Sequence, residues 1–206
     1  MPQIIDISQP LAHGMPVWPG DTEFQPSWLA RMENNDPCNV GSVTMSLHTG
    51  THADAPLHFV RDGISIADMD LTAYIGPVQV IELTGAKAIG AGHLLSLAPG
   101  LPERVIFKTR LSPAAQFDAN FTYIAPDAAR MLAGFGIKLI GIDSPSVDGS
   151  ASGTFESHKI LASAGIAILE NLNLAKVAPG RYELIALPLK LSGMDASPVR
   201  AVLRTL

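Results

Sequence analysis

Residues 47–59, LHTGTHADAPLHF, hold three of the chain's six histidines and constrain its fold more than any other stretch. His48, His52, Asp54 and His58 all fall at even positions, whereas positions 43, 45 and 47 are apolar. Such alternation predicts a strand over residues 40–48 that gives way near Gly50 to a shaped loop. We expect the apolar positions to enter a core and the imidazoles to lie on the opposite, polar face.

Three imidazoles and one carboxylate within eleven residues form a nitrogen and oxygen ligand set. Such a set suits zinc, manganese or iron(II) better than metals that prefer thiolates. The alternative is a polar strand edge with solvated histidines. The shared face, together with a backbone fixed by Gly50 and Pro56, favours a metal site.

The spacing HxGTHxDxPxH at residues 48–58 resembles the signature of the metal-dependent cyclase/amidohydrolase family. Further matches follow along the chain: PVWPGD at 16–21, GIDSPS at 141–146, LPLKL at 187–191 and DASPVR at 195–200. Taken together, these stretches are most similar to the bacterial kynurenine formamidases (arylformamidases) within that family.

This resemblance implies a metal site with five ligands. His48 and His52 would bind one metal, Asp54 would bridge to a second, and His158 with Glu170 would complete the second site. Two zinc ions per subunit are implied, with manganese as an alternative. From the residues alone, Glu170 could equally be a solvated strand end, and His158 belongs to a helix predicted at residues 155–163.

The resemblance also implies a reaction, the hydrolysis of N-formyl-L-kynurenine to L-kynurenine and formate in tryptophan breakdown. A metal-activated water would attack the formyl carbon. His58, which is not needed as a ligand, would be the general acid/base, because an unperturbed imidazole both takes and gives a proton near pH 7. Trp18 would stack on the aryl ring, although an isolated tryptophan is more often a packing residue.

Two other functions fit the same residues. A related hydrolase could open a cyclic amide such as isatin, because the ligands would not change. A metal-binding or small-ligand-binding module without turnover could also keep the ligands, but it would not need an additional histidine beside them.

Length and composition set broader limits. We expect residues 1–206 to form one domain, with a small molecule as substrate. The net charge of -5 and the absence of a basic block argue against nucleic acid and anionic membranes as partners. A single cysteine, no evident signal peptide and no long apolar run predict a cytoplasmic protein. The resemblance implies a homodimer.

The predicted fold class is α/β or α+β with a mixed sheet, and the resemblance specifies a swivelling β/β/α barrel-like domain. Asp143 follows a predicted strand and is expected to cap a turn and not to bind metal. Besides residues 40–48, strands are predicted at 4–8, 77–83, 104–109, 138–143, 166–170, 182–188 and 199–203. Helices are predicted at 64–74, 124–134 and 155–163, with a helix start near 90–95.

Overall fold

A curled, nine-stranded mixed sheet in the form of a half-barrel is the framework of this α+β fold. The computed structural model describes residues 2–95 and 100–206. Within them, three helices cover the sheet: α1 (Ala91–Leu95), α2 (Pro126–Gly134) and α3 (Glu156–Ser163). The strands are β1 (Ile4–Asp6), β2 (Gln25–Ala30), β3 (Val40–Thr44), β4 (His52–Asp54), β5 (Ile75–Glu82), β6 (Ala88–Ile89), β7 (Arg104–Lys108), β8 (Tyr123–Ile124), β9 (Leu139–Ile142), β10 (Ala167–Glu170), β11 (Gly180–Ile185), β12 (Ala196–Pro198) and β13 (Val202–Thr205).

The strand order of the large sheet is β1-β13-β11-β5-β7-β9-β10-β4-β12. Its centre, β5-β7-β9-β10, is parallel, and antiparallel strands flank the centre on both sides. Every residue of β7 and β9 is buried, as expected for parallel strands whose two faces are both covered. The carboxyl ends of the parallel strands therefore lie along one edge, the usual place for a site in such sheets.

Each face of the sheet packs into its own core. Val105 and Phe107 point into the core that contains the helices, with Leu132 of α2 and Leu161 of α3. Ile106, between them, points into the opposite core. Alternation along a strand places successive side chains on opposite faces, so one buried strand contributes to both cores. The predicted fold class and mixed sheet are confirmed.

The strand predicted at residues 40–48 is wrong in extent and in environment. β3 ends at Thr44 and pairs only with β2 in a separate two-stranded sheet, where Val43 is 51% exposed. Alternating sequence separates two faces, but it does not show whether another element covers the apolar one. His48 lies in the turn that follows β3, and the chain re-enters the main sheet at His52.

The other predicted elements are present, with ends shifted by a few residues. The exception is residues 64–74, predicted as a short helix, which form two 3-10 turns at Ile66–Asp68 and Leu71–Tyr74. Asp70 separates the turns, because its side chain accepts a hydrogen bond from the backbone N–H of Thr72 and caps the second turn. Within residues 2–95 and 100–206, the helices are all too short and polar to cross a bilayer.

Candidate metal centre

Two adjacent strands place the centre of the candidate site. β4 runs antiparallel to β10, and the register pairs His52 with Glu170 and Asp54 with Ile168. His52 and Asp54 are two residues apart on one strand, so their side chains share a face. Nε2 of His52 lies 3.4 Å from Oδ1 of Asp54 and 3.4 Å from Oε2 of Glu170. All three side chains are buried.

The third histidine comes from α3. Nε2 of His158 lies 3.1 Å from Oε1 of Glu170 and 3.6 Å from Oδ2 of Asp54. Its Nδ1 donates a 2.7 Å hydrogen bond to Asp148, which also accepts from the backbone N–H groups of Ser157 and His158. Asp148 thus caps the first turn of α3 and fixes which nitrogen of His158 faces the carboxylates.

The turn before β4 supplies His48 and orients His52. Nδ1 of His48 lies 3.2 Å from Oδ1 of Asp54. The carbonyl of Gly50 accepts a 2.9 Å hydrogen bond from Nδ1 of His52, which leaves Nε2 for the cluster. Gly50 has φ of 65°, and a Cβ there would lie 2.6 Å from the side chain of Leu11. Only glycine satisfies both conditions without a shift in its surroundings.

One carboxylate outside this cluster holds two of its histidines. β12 pairs with β4 so that Ala196 lies opposite Asp54, which brings Asp195 to the edge of the cluster. Oδ2 of Asp195 lies 2.9 Å from Nε2 of His48 and 2.9 Å from Nδ1 of His58. His58 closes a 3-10 turn, Pro56–His58, directly after β4.

Together these groups fit a metal. Both carboxylate oxygens of Asp54 and Nε2 of His52 are buried and have no hydrogen-bond partner in the described parts of the chain. Such groups are costly unless a ligand satisfies them. Two sets of donor atoms lie close enough to share an ion: His48, Asp54 and His58, and His52, Asp54 and Glu170. Asp54 belongs to both sets, as the predicted bridging ligand would.

The contacts around Asp54 bring His52 close to both halves of the cluster. His48 and His52 lie 3.2 and 3.4 Å from Oδ1 of Asp54, and the register of β4 and β10 also places His52 beside Glu170. His58, expected to be free of metal, lies within reach of a cation shared with His48 and Asp54. His158 contacts Glu170 and Asp54 at the other side of the cluster.

The charge of the site favours cations. Burial alone would lower the pKa of His52, but the neighbouring carboxylates of Asp54 and Glu170 outweigh burial and raise this pKa to about 10. For His48, burial is likewise outweighed by Asp195 and Asp54, which raise its pKa to about 9. Burial opposes ionisation of Asp54, yet contacts with the three surrounding imidazoles keep its pKa well below the usual range. The carboxylates therefore stay charged and attract protons or a metal ion.

A pocket opens beside this cluster, and Trp18, His58, Arg110 and Phe155 are among the residues that line it. The ring of Trp18 meets that of Phe117 edge to face at a centroid distance of 5.2 Å. Trp18 is half-buried, so it packs against Phe117 and still borders the pocket. Phe155, at the start of α3, has φ of 49°, a conformation that is uncommon outside glycine and recurs at functional sites.

Asp143, which the sequence reasoning expected to cap a turn, bonds to residues that follow β7. Its buried carboxylate accepts hydrogen bonds from the backbone N–H groups of Thr109 and Arg110 and from the hydroxyl of Thr109. The sequence reasoning did not find Asp148, Asp195 or Arg110 as parts of the site. For Asp148 the signal was available, because an acid just before a helix that carries a ligand histidine is a candidate cap and imidazole partner.

Known proteins are similar to this chain in sequence and in structure. The Cyclase family model, whose description is Putative cyclase, matches residues 5–149. A potential metal-dependent hydrolase with cyclase activity is 36% identical, with a TM-score of 0.88, over 100% of this chain and 99% of its own. A predicted metal-dependent hydrolase from Bacillus stearothermophilus is 34% identical, with a TM-score of 0.86, over 99% of this chain and 98% of its own.

Isatin hydrolase A from Labrenzia aggregata, solved with benzyl benzoate bound, is more distant in sequence. It is 23% identical, with a TM-score of 0.85, over 99% of this chain and 94% of its own. A match at this identity shows that the two chains share a fold.

Proposed function

The chain belongs to the Cyclase family and is a metal-dependent hydrolase, and we propose that it cleaves an aryl formamide. Its proposed substrate is N-formyl-L-kynurenine, and its products are L-kynurenine and formate. The observation that carries the proposal is the position of His58. This imidazole lies beside the buried donor cluster, is held by Asp195 through Nδ1 and borders a pocket with aromatic walls.

The proposed metal ligands are His48, His52, Asp54, His158 and Glu170. Each imidazole presents one nitrogen to the carboxylates, while its other nitrogen is held by Asp195, Gly50 or Asp148. Such outer partners fix the ring orientation of ligand histidines. Two zinc ions, with manganese as an alternative, are the proposed cofactors. When bound, the metal supplies Lewis acidity that makes a water nucleophilic near neutral pH and polarises a carbonyl.

His58 is the proposed general acid/base. The hydrogen bond to Asp195 occupies Nδ1 and leaves Nε2 for proton transfer. Nε2 takes a proton from the water that attacks the formyl carbon. It then delivers that proton to the aniline nitrogen as the C–N bond breaks, because an anilide anion is a poor leaving group. The products are formate and the free aromatic amine.

The aromatic wall of the pocket suits an aryl group. Trp18 is the proposed platform for the ring of the substrate, held in place from one side by Phe117. Phe59 and Phe155 form a second aromatic pair, with ring centroids 5.0 Å apart, that also borders the pocket. Aromatic pairs of this kind exclude water from a reacting amide and bind flat ligands.

A second candidate substrate is a cyclic amide. Its support is the shared fold with isatin hydrolase, which covers 99% of this chain. The test compares kcat/KM for N-formyl-L-kynurenine and isatin with the metal-loaded protein, following L-kynurenine and ring-opened product by absorbance. We expect a clear preference for the formamide. A preference for isatin contradicts the proposal, and no turnover of either compound favours a metal-binding or small-ligand-binding module.

A further inference from the structure

Arg110 is the one lysine or arginine among the described residues that line the pocket. It is partly buried, and it forms no ion pair with any carboxylate in the described ranges 2–95 and 100–206. The contrast with other arginines is clear, because five of them are paired: Arg31, Arg104, Arg130, Arg200 and Arg204. A guanidinium that borders a pocket without an acidic partner is available to an anionic ligand.

The protein fixes the backbone at Arg110. This residue lies just beyond the carboxyl end of β7, where its N–H donates a 3.1 Å hydrogen bond to Asp143. The neighbouring Thr109 donates to the same carboxylate through its N–H and its hydroxyl. Asp143 lies at the end of β9 and is only 2% exposed. The backbone of Arg110 is therefore fixed against the neighbouring strand end, which defines the position from which its side chain extends.

The pocket also holds carboxylates that would repel an anion. Asp21, Asp118 and Glu170 also line it. A substrate that carries a carboxylate would meet these negative side chains unless a cation received it. Arg110 is a cation that lines the pocket outside the buried donor cluster of the proposed metal ligands.

We propose that Arg110 binds the carboxylate of the substrate, so that the site prefers aryl formamides with an anionic side chain over neutral ones. This inference rests on the proposed function and names the group that recognises the end of the substrate away from the reacting bond. Arg110 is a specificity-determining residue, because its contact is remote from the formyl carbon. Its loss should raise KM and leave kcat nearly unchanged.

The test compares two substrates on the metal-loaded protein: N-formyl-L-kynurenine, and its carboxamide, which keeps the ring and the ammonium but lacks the carboxylate. We expect wild-type kcat/KM to be about 10- to 100-fold higher for the carboxylate, the range of a charge-assisted hydrogen bond. In Arg110→Gln, kcat/KM for the two substrates should become similar, because KM rises for the carboxylate substrate alone. Arg110→Lys should restore part of the preference, because it keeps the charge but not the planar fork.

The carboxamide also serves as the control for folding, because its kcat/KM should fall far less in Arg110→Gln than that of the carboxylate substrate. Arg204→Gln is the matched control, since Arg204 lies on β13, where it pairs with Glu183 of β11, far along the sheet. This variant should keep the wild-type preference. Independently of turnover, calorimetry should show L-kynurenine binding about 10- to 100-fold more weakly to Arg110→Gln than to wild type.

The outcomes separate the two claims. Wild-type protein that hydrolyses both compounds with equal kcat/KM contradicts the role of Arg110 and leaves the formamidase activity standing. An unchanged preference in Arg110→Gln does the same. Wild-type protein that hydrolyses neither compound contradicts the proposed function and, with it, this inference.

Discussion

Oδ2 of Asp195 lies 2.9 Å from Nδ1 of His58, and this carboxylate couples the proposed acid/base to the metal cluster. The same oxygen lies 2.9 Å from Nε2 of His48. One acceptor therefore sets the tautomer of a proposed ligand and of the proposed proton carrier at the same time. Hydrogen bonds from the two imidazoles hold the pKa of Asp195 far below its ordinary value, so it accepts from both as a carboxylate.

Replacing this carboxylate should impair turnover more than folding. For Asp195→Asn we expect kcat to fall about 10- to 100-fold at saturating metal, the usual effect of losing an outer partner of a site histidine. KM for the substrate should change little, because Asp195 is a positioning residue. Steady-state kinetics measure both constants. Asp62→Asn, at an exposed turn, is the control, and wild-type kcat in Asp195→Asn would show that the bridge has no catalytic role.

His58 is either the proton carrier or a metal ligand, and one substitution distinguishes these two roles. If it carries the proton, His58→Ala should lower kcat about 100- to 10,000-fold and leave the metal content at the wild-type value. Its donor atoms also lie within reach of a cation shared with His48 and Asp54. Loss of one metal equivalent in His58→Ala, measured by elemental analysis, would instead make His58 a ligand.

The sequence allowed the donor set to be predicted because its spacing is local. His52 and Asp54 share a strand face, and His48 precedes them in the adjoining turn, so one short stretch specifies three side chains. His158 and Glu170 came from resemblance. The structure adds the reason Glu170 meets His52, which is the register of β10 against β4.

Two of the residues that were missed, Asp195 and Arg110, lie far in sequence from the histidine motif at residues 48–58. Asp195 is 137 residues from His58, and only the pairing of β12 with β4 brings them together. Arg110 reaches the pocket because Asp143, on a neighbouring strand, binds its backbone. The prediction that Val43 enters a core was wrong for a related reason. Its 51% exposure depends on whether another element covers β3. In all three cases the position of the residue depends on how distant elements pair, and the local sequence pattern does not encode that pairing.

Trp18 should contribute to binding and not to the chemical step. We expect Trp18→Ala to raise KM for the aryl formamide about tenfold, equivalent to about 1.4 kcal/mol, with kcat within about twofold of wild type. Trp28→Ala is the matched control, because Trp28 is 54% exposed on β2, outside the pocket. A Trp18 variant with wild-type KM would assign this ring to packing against Phe117.

Protons should compete with metal at this site. The pKa of His48 is raised to about 9 and that of His52 to about 10 in the metal-free protein, above the ordinary 6.5. An imidazole whose pKa is higher in the folded than in the unfolded protein adds to the free energy of unfolding. This contribution is complete below about pH 6.5 and is lost as the pH rises through 9 to 10. The Tm of metal-free protein should therefore fall over that interval.

The same protons must leave before the imidazoles bind metal. Metal affinity should then rise with pH up to about 10, by about tenfold per pH unit for each proton displaced. Titrations with buffered zinc at pH 6.5 and 8.5 measure the change. A metal affinity that does not depend on pH, together with a flat Tm profile of the metal-free protein, would contradict the charge balance described for this cluster.

The most direct test of the account is the turnover of N-formyl-L-kynurenine by protein stripped with a chelator and titrated back with zinc or manganese, with formate and bound metal measured together. We predict no turnover without metal and activity that rises with bound metal to a plateau. In Asp54→Ala, which removes the side chain common to both candidate sets of metal ligands, metal binding and activity should be lost together. Full turnover by the stripped protein, or none at any metal content, would contradict the account.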